Sequence, residues 1–421
     1  MSISGPPALR EHKGTQCVHE LFEERALASP DVTAVVSGDR RIVYRALNRM
    51  AGGIAGMLRA RGVGPETVVG ISGSRSPDTV AALLGILKAG GAYVALDPGD
   101  PEERTRYILA NTGVRVLLSS DCTVQTGCLT GIEEIRLPAG DGAFAERHMP
   151  TLGSGATSDS LASVIYTSGS SGRPKGVALT HRSIVSRLQG PTSYIPVEPR
   201  LQKTSFGLVG HIADLLTPLV HGWPAILIDD DTARNLPALV RAIRRHGVHR
   251  LFLVPSMLRV FLDMPEAESL RGQLHTLLVS GENLPHELAA RFRRRFPEET
   301  TLIHAYGLSE TAGTVCHTTI AGEAEITIGK PPPGVIEILT DELERVQPGA
   351  VGEIAVTGPS LARGYLNQTA LTAERFRPNP FGKTGSRIYR AGTSDDVFPM
   401  AGFRSSDEKT ARSSCTGFGS I

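Results

Sequence analysis

The chain is 421 residues long, 40% hydrophobic and 21% charged, with a formal net charge of +1. That length suits two or three domains or one large composite lobe, the composition is that of an ordinary globular protein, and the balanced charge argues against nucleic acid or a membrane surface as partner. Cys17, Cys122, Cys128, Cys316 and Cys415 are scattered without metal-ligand spacing, and no secretion signal or membrane-spanning run is visible, so the sequence reads as cytoplasmic with reduced thiols.

Residues 1–16 read as a flexible N-terminus. An amphipathic helix follows in HELFEERALASP (19–30), and a second in YRALNRMAGGIAGMLRARGVG (44–64), closed by Gly62 and Gly64. TVVGIS (67–72) is a strand. SPDTVAALLGILKAGG (76–91) is a helix with Pro77 in its first turn and glycines at its end. Strand AYVALDP (92–98) and helix PEERTRYILANTG (101–113) come next, then a linker-like stretch over 139–160. Beyond it the pattern predicts a helix near 181–188 with Thr180 as its N-cap, then strand AILI (225–228) and helix LPALVRAIRRHGV (236–248). Strand RLFLV (250–254), helix MLRVFLDM (257–264), strand TLLVSG (276–281), helix HELAARFRRRF (286–296) and strand TLIHAYG (301–307) complete the alternation. Alternating helices and strands argue an α/β fold. From about Ile336 short strands and turns suggest a small β-rich module reaching residue 392. Residues 393–421 show no period and read as an irregular, disordered tail.

YTSGSSGRPKGV (166–177) carries the chemistry. Its glycines let backbone N–H groups approach a ligand closely, its hydroxyls add donors, and Lys175 adds a point charge suited to phosphate oxygens. A strand, such a loop, then a helix is a common way to hold an anion. A Gly/Ser linker is the plain alternative. Lys175 is followed by Gly176 rather than Ser or Thr, so this is no Walker loop.

This loop stands in register with IVYRALN (42–48), LKAGGAYVALDP (87–98), SGENLP (280–285), HAYGLSET (304–311), GEIAVTGPSLARGYLN (352–367) and RIYRAG (387–392). Over about residues 17–392 the chain thereby resembles the adenylation domains of nonribosomal peptide synthetases, within the adenylate-forming superfamily. The resemblance implies a large N-terminal lobe of two related β-sheets with helices plus a small β-barrel-like module. It implies ATP and Mg²⁺ as cofactors, an amino or other carboxylic acid as substrate, and a carrier protein with a phosphopantetheine thiol as partner. Residue by residue, Thr167, Ser168, Gly169, Ser170, Ser171, Gly172 and Lys175 match the phosphate-gripping loop. Ser309 matches a phosphate contact, Glu310 the Mg²⁺ ligand, and Tyr306 the aromatic against adenine. Gly281 and Glu282 match the strand end beside adenine, and His304 stands where the family usually has Asn.

For the acid, the resemblance points to Val209, Gly210, Ala213, Phe252, Leu278, Ser280 and Ala305, a mostly apolar lining. Relatives that activate α-amino acids pair the substrate ammonium with an aspartate. One alignment puts Val209 at that place and another puts Gly207 there; neither is acidic. An unpaired buried ammonium is costly, so a β-amino, aryl or hydroxy acid fits as well. RIYRAG is followed by Thr393 where the family has an ATP-ribose aspartate, and residues 393–421 stand in place of its small C-terminal subdomain with the catalytic lysine. Adenylation impaired by these losses is therefore the expectation, with a partner supplying the small domain as one remedy. The alternatives are a non-catalytic nucleotide- or carboxylate-binding remnant and a ligase resembling acyl-CoA synthetases.

Overall fold

The computed structural model describes the chain except residues 1–14, 121–123, 125–126, 128–129, 138–152, 169–172, 190–197, 297–298, 322–325, 330, 333, 348–349, 393–396, 400–411 and 415–421. It divides into two compact units. The first comprises Met1–Gly190, Ile195–Ala233 and Ala362–Asn367; the second comprises Pro191–Tyr194, Arg234–Leu361 and Gln368–Ile421.

In the first unit the helices are α1 (Val18–Ala28), α2 (Tyr44–Arg59), α3 (Pro77–Lys88), α4 (Glu102–Thr112), α5 (His181–Gln189), α6 (Thr217–His221) and α7 (Asp230–Arg234). Its strands are β1 (Thr33–Ser37), β2 (Arg40–Val43), β3 (Val68–Ser72), β4 (Ala92–Leu96), β5 (Val116–Ser119), β6 (Glu133–Arg136), β7 (Leu161–Thr167), β8 (Lys175–Thr180), β9 (Arg200–Gln202) and β10 (Ala225–Leu227). The local signals act where the sequence places them. Ser76 Oγ accepts the Thr79 N–H at 3.2 Å and caps α3, with Pro77 at its first position. Thr180 caps α5 reciprocally: its Oγ1 accepts the Ser183 N–H at 3.2 Å while Ser183 Oγ accepts the Thr180 N–H at 3.0 Å.

In the second unit α8 (Leu236–His246), α9 (Pro255–Asp263) and α10 (His286–Arg295) alternate with β11 (Arg250–Leu253), β12 (Thr276–Ser280) and β13 (Thr301–Leu308), followed by β14 (Gly313–Thr319). Next come β15 (Ile336–Leu339) and β16 (Gly352–Thr357), then β17 (Gly364–Tyr365), which belongs to the first unit. The chain closes with α11 (Thr369–Arg375), β18 (Phe376–Pro378), β19 (Arg387–Arg390), β20 (Val397–Pro399) and β21 (Arg412–Ser414).

Four sheets result. A seven-stranded sheet runs β17-β8-β7-β4-β3-β5-β6, parallel from β7 through β6, with β8 and β17 added antiparallel at one edge. Its core is apolar: Val68, Val94, Leu96, Leu117 and Val164 pack with Ile108 and Leu109 of α4. A four-stranded sheet β2-β1-β10-β9 belongs to the same unit. The second unit holds β11-β12-β13-β14, parallel except for β14, and a six-stranded sheet built on β16, to which β15, β18, β19, β20 and β21 contribute. The mixed α/β lobe with a small β-rich module is as expected; apart from the module's sheet on β16, the described residues form three sheets where two are expected.

Two further differences have physical causes. The glycine-rich loop is expected to lead from a strand into a helix; it instead links β7 to β8 as an antiparallel hairpin, with Thr167 opposite Lys175. KGVALT is six residues long and hides its alternation behind Gly176 and Ala178, so in the sequence it merges with the loop. The tail expected to lack regular structure has strands at β20 and β21, described by their backbone, and β21 pairs with β16. Three-residue strands are too short for a readable period. Among the described residues no helix is long and apolar enough to cross a membrane.

Candidate active site

In the first unit the loop hangs from the C-terminal end of parallel strand β7, the edge where open α/β sheets gather their ligands. Gly169, Ser170, Ser171 and Gly172 lie outside the described residues; its two shoulders are described. Thr167 is half-buried, with an Oγ1 that is buried without a partner among the described residues, and Ser168 is exposed. Lys175 is half-buried. Its Nζ donates to Tyr365 Oη at 3.4 Å and lies 4.9 Å from the centroid of that ring. In the sequence Tyr365 stands only within a family stretch; its contact with Lys175 is a spatial fact, since 190 residues separate the two.

The strand that carries Tyr365 is itself pinned. Arg363 donates from Nη2 to Glu66 Oε1 at 2.9 Å and to the Asp159 carbonyl at 2.6 Å. Glu66 also accepts the Leu161 N–H at 3.1 Å, at the start of β7. The Arg363 guanidinium holds the Glu66 carboxyl below its ordinary range.

Val209, Gly210 and Ala213 belong to the first unit and are half-buried. A pocket there is lined by Gly207, Ser205 and Phe206 together with Arg75, Thr79 and Asp97; Val209 is not among its lining. Neighbouring His211 is fixed in the core: Tyr93 Oη lies 2.6 Å from its Nε2, and its Nδ1 donates to the Leu208 carbonyl at 2.7 Å. Burial pushes its pKa down to about 4. Asp214 accepts from Thr204 Oγ1 at 2.5 Å and has the charges of buried Arg200 and half-buried Lys203 acting with it, so its charge already has cationic neighbours.

In the second unit, β12 ends at Ser280 and the chain turns at Gly281, whose φ is +97°. Glu282 reaches back to the first turn of α9, accepting the Ser256 N–H at 2.9 Å and Ser256 Oγ at 2.8 Å. His304 is buried; its Nδ1 donates to the Thr327 carbonyl at 3.0 Å, and burial lowers its pKa so that the neutral ring prevails. Strand register sorts the other residues. Phe252 pairs with Leu278 and Ser280 with Ala305, so these four share one face of β11-β12-β13. His304 and Tyr306 alternate onto the opposite face.

After β13 the chain turns tightly through Ser309–Thr311, all buried, and Glu310 is only 4% exposed. Thr311 Oγ1 ties the turn by accepting the Leu308 N–H at 3.2 Å. Gly307 has a steric reason: a Cβ there would stand 2.3 Å from the Gly313 carbonyl oxygen. A buried carboxylate is a hard oxygen donor, and a single one suits an ion that takes its remaining ligands from phosphates and water, as Mg²⁺ does.

Another polar cluster, Cys17, His19 and His181, lies in the core of the first unit with candidate ligand atoms within 4.8 Å of one another. Its polarity is wrong for a cation: His181 Nδ1 already accepts the Val18 N–H at 3.2 Å, and the charges of Lys88 and Arg59 act on His19.

A family model for AMP-binding enzymes matches residues 22–366. Tyrocidine synthase 3 of Brevibacillus parabrevis is 37% identical over 387 residues, which are 89% of this chain and 6% of that protein. Bacitracin synthase 3 of Bacillus licheniformis is 36% identical over 392 residues, 90% of this chain and 6% of that protein. The chain thus spans only a small fraction, 6%, of the length of each of these curated relatives. Among solved structures, the nonribosomal peptide synthetase FmoA3 is similar with a TM-score of 0.78 at 27% identity, over 94% of this chain and 42% of that one.

Proposed function

The chain belongs to the AMP-binding enzyme family, and on that premise we propose that it activates a carboxylic acid as its acyl-adenylate for transfer to a carrier-protein thiol in nonribosomal peptide assembly. A carboxylate oxygen of the acid attacks the α-phosphorus of ATP, the bond between α-phosphorus and bridging oxygen breaks, and pyrophosphate leaves. The carrier thiol then displaces AMP and takes the acyl group as a thioester. Most of the work is positioning and charge neutralisation, because the acid and the nucleotide are both anionic.

The observation that carries this reading is the half-buried Lys175 ammonium, set on a β-hairpin at the mouth of a hydroxyl-rich loop and held against Tyr365. On this reading Lys175 neutralises the departing pyrophosphate, aided by the orphaned Thr167 hydroxyl and Ser168. The loop residues Gly169, Ser170, Ser171 and Gly172 supply backbone and hydroxyl donors. Glu310 holds Mg²⁺, which supplies charge neutralisation at the phosphates, and Ser309 adds a phosphate contact. Tyr306 stacks on adenine, with Gly281, Glu282 and His304 around its edge.

Phe252, Leu278, Ser280 and Ala305, with Val209, Gly210 and Ala213, suit a hydrophobic acid. Neither Gly207 nor Val209 can neutralise an α-ammonium, which favours aryl, hydroxy or β-amino acids over a plain α-amino acid. The test is acid-dependent exchange of pyrophosphate into ATP, with Lys175→Ala as control. Thr393, standing in place of the family's ribose aspartate, favours a second reading in which the chain binds nucleotide without turning over. That reading predicts binding without exchange.

A further inference from the structure

Lys175 is a flexible four-carbon chain carrying one charge, and strand pairing alone does not set where such an ammonium sits. Two features of Tyr365 supply what the hairpin lacks. Tyr365 pairs with Val177 across the β17–β8 ladder, and Val177 lies two residues from Lys175 on the same face of β8. The Tyr365 ring therefore comes to the same side of the sheet as the Lys175 side chain. The outcome is the 3.4 Å contact from Nζ to Oη and the 4.9 Å approach of the ammonium to the ring centroid. Tyr365 itself is 4% exposed, so the ring cannot swing away without opening the sheet edge.

The strand that presents Tyr365 is unusual in its origin. The chain leaves the second unit after Leu361, contributes Ala362–Asn367 to the first, and returns at Gln368. Within those six residues one side chain aims the lysine and another fixes the strand. Arg363 is bonded to Glu66 and to the Asp159 carbonyl, while its own N–H donates to the Ala178 carbonyl at 2.8 Å. Asn367 adds a third fixing point, donating from Nδ2 to the Asn111 carbonyl at 2.6 Å.

We infer that Tyr365 is a positioning residue that holds the Lys175 ammonium in its working place, with Arg363 setting the register of the strand that delivers it. The contact stands on geometry alone; its consequence for catalysis rests on the nucleotide reading of the loop. Removing the hydroxyl leaves the ring attraction, and removing the ring takes both. Tyr365→Phe should raise the KM for ATP by about 2- to 5-fold, the worth of one long hydrogen bond. Tyr365→Leu should raise it by about 5- to 30-fold, since a cation held over a partly desolvated ring loses more.

Two experiments test this separately from the function. In the first, lysines of the full chain are ¹³C-methylated, and the Lys175 resonance is assigned by its absence in Lys175→Arg. That resonance should be ring-current shifted in the wild type and in Tyr365→Phe, and should lose the shift in Tyr365→Leu. An unshifted wild-type resonance, or a shift that survives in folded Tyr365→Leu, overturns the inference whatever the enzyme does. In the second, Tyr365→Leu is combined with Lys175→Ala in the exchange assay. A positioning role predicts that the double variant is no worse than Lys175→Ala alone. A further loss of about 5-fold or more in the double variant means that Tyr365 acts independently of Lys175, and the inference falls. Absence of exchange in the wild type, with the ring-current result intact, would instead count against the proposed function.

Discussion

Arg363 and Glu66, 297 residues apart in sequence, meet as a two-pronged pair: Nη1 reaches Oε2 at 2.5 Å and Nη2 reaches Oε1 at 2.9 Å. Glu66 adopts a φ of +66° at this point, a left-handed conformation that a side chain with a Cβ enters only at a cost. Its carboxylate bonds to Arg363 and to the Leu161 N–H offset that cost and tie the start of β7 to β17. Both side chains are roughly half exposed, so solvent weakens the pair. Arg363→Ala and Glu66→Ala are each expected to destabilise the chain by about 1–2 kcal/mol, with a coupling of about 0.5–1 kcal/mol in the double-mutant cycle. Denaturant midpoints of the four proteins check this; strict additivity would contradict it.

Glu310 sits buried at the tip of the Ser309–Thr311 turn. Glu310→Gln keeps the shape and one acceptor oxygen while removing the negative charge. Pyrophosphate exchange should fall by about 100-fold or more, since a metal-held phosphate loses its anchor. The residual activity should need more Mg²⁺. Unchanged exchange in Glu310→Gln would remove Glu310 from the metal role.

Gly307 and Gly52 make opposite predictions. At Gly307 an added Cβ meets the Gly313 carbonyl oxygen at 2.3 Å and Thr314 Cα at 2.5 Å, both backbone atoms that cannot step aside. Gly307→Ala should therefore cost about 3 kcal/mol or more and disturb the turn that carries Glu310. Gly52, inside α2, has open space around the same position. Gly52→Ala should stabilise by about 0.5–1 kcal/mol through helix propensity. Thermal or urea unfolding of the two variants reads both signs.

His211 makes stability depend on pH. Burial lowers its pKa from 6.5 to about 4, although the Leu208 carbonyl acts in the other direction. The unfolded chain takes up this proton below about pH 6.5, whereas the folded chain resists until about pH 4. Stability is thus fully present above about pH 6.5 and falls as the pH drops towards 4, by at most about 3 kcal/mol from this group. His211→Gln should be less stable at neutral pH, having lost its bonds to Tyr93 and Leu208. Its stability should decline less steeply with acid, by up to about one proton between pH 6.5 and 4. Equal slopes for the two proteins would contradict the assignment.

Much of the fold is legible in the sequence because the signals are local. Pro77 at the start of α3 and Thr180 before α5 each act within a turn of their own position. What is not legible depends on pairing. KGVALT becomes a strand only because β7 and β17 lie on either side of it, and β9 is only three residues long. The same divide runs through the candidate site. Lys175 stands out by its loop, and Glu310 by its register with the other stretches. Tyr365, Arg363 and Glu66 matter only through contacts spanning 190 to 297 residues, which no spacing rule reports. The split of Ala305 from His304 and Tyr306 onto opposite faces follows from alternation once β13 is known to be a strand.

The most direct measurement is pyrophosphate exchange into ATP across a panel of amino, hydroxy and aryl acids, with Lys175→Ala alongside. Exchange that depends on one hydrophobic acid, falling about 100-fold or more in Lys175→Ala, is the expected result. ATP binding without exchange for any acid would contradict adenylation and leave a nucleotide-binding lobe. Exchange equal in both proteins would take Lys175 out of the chemistry.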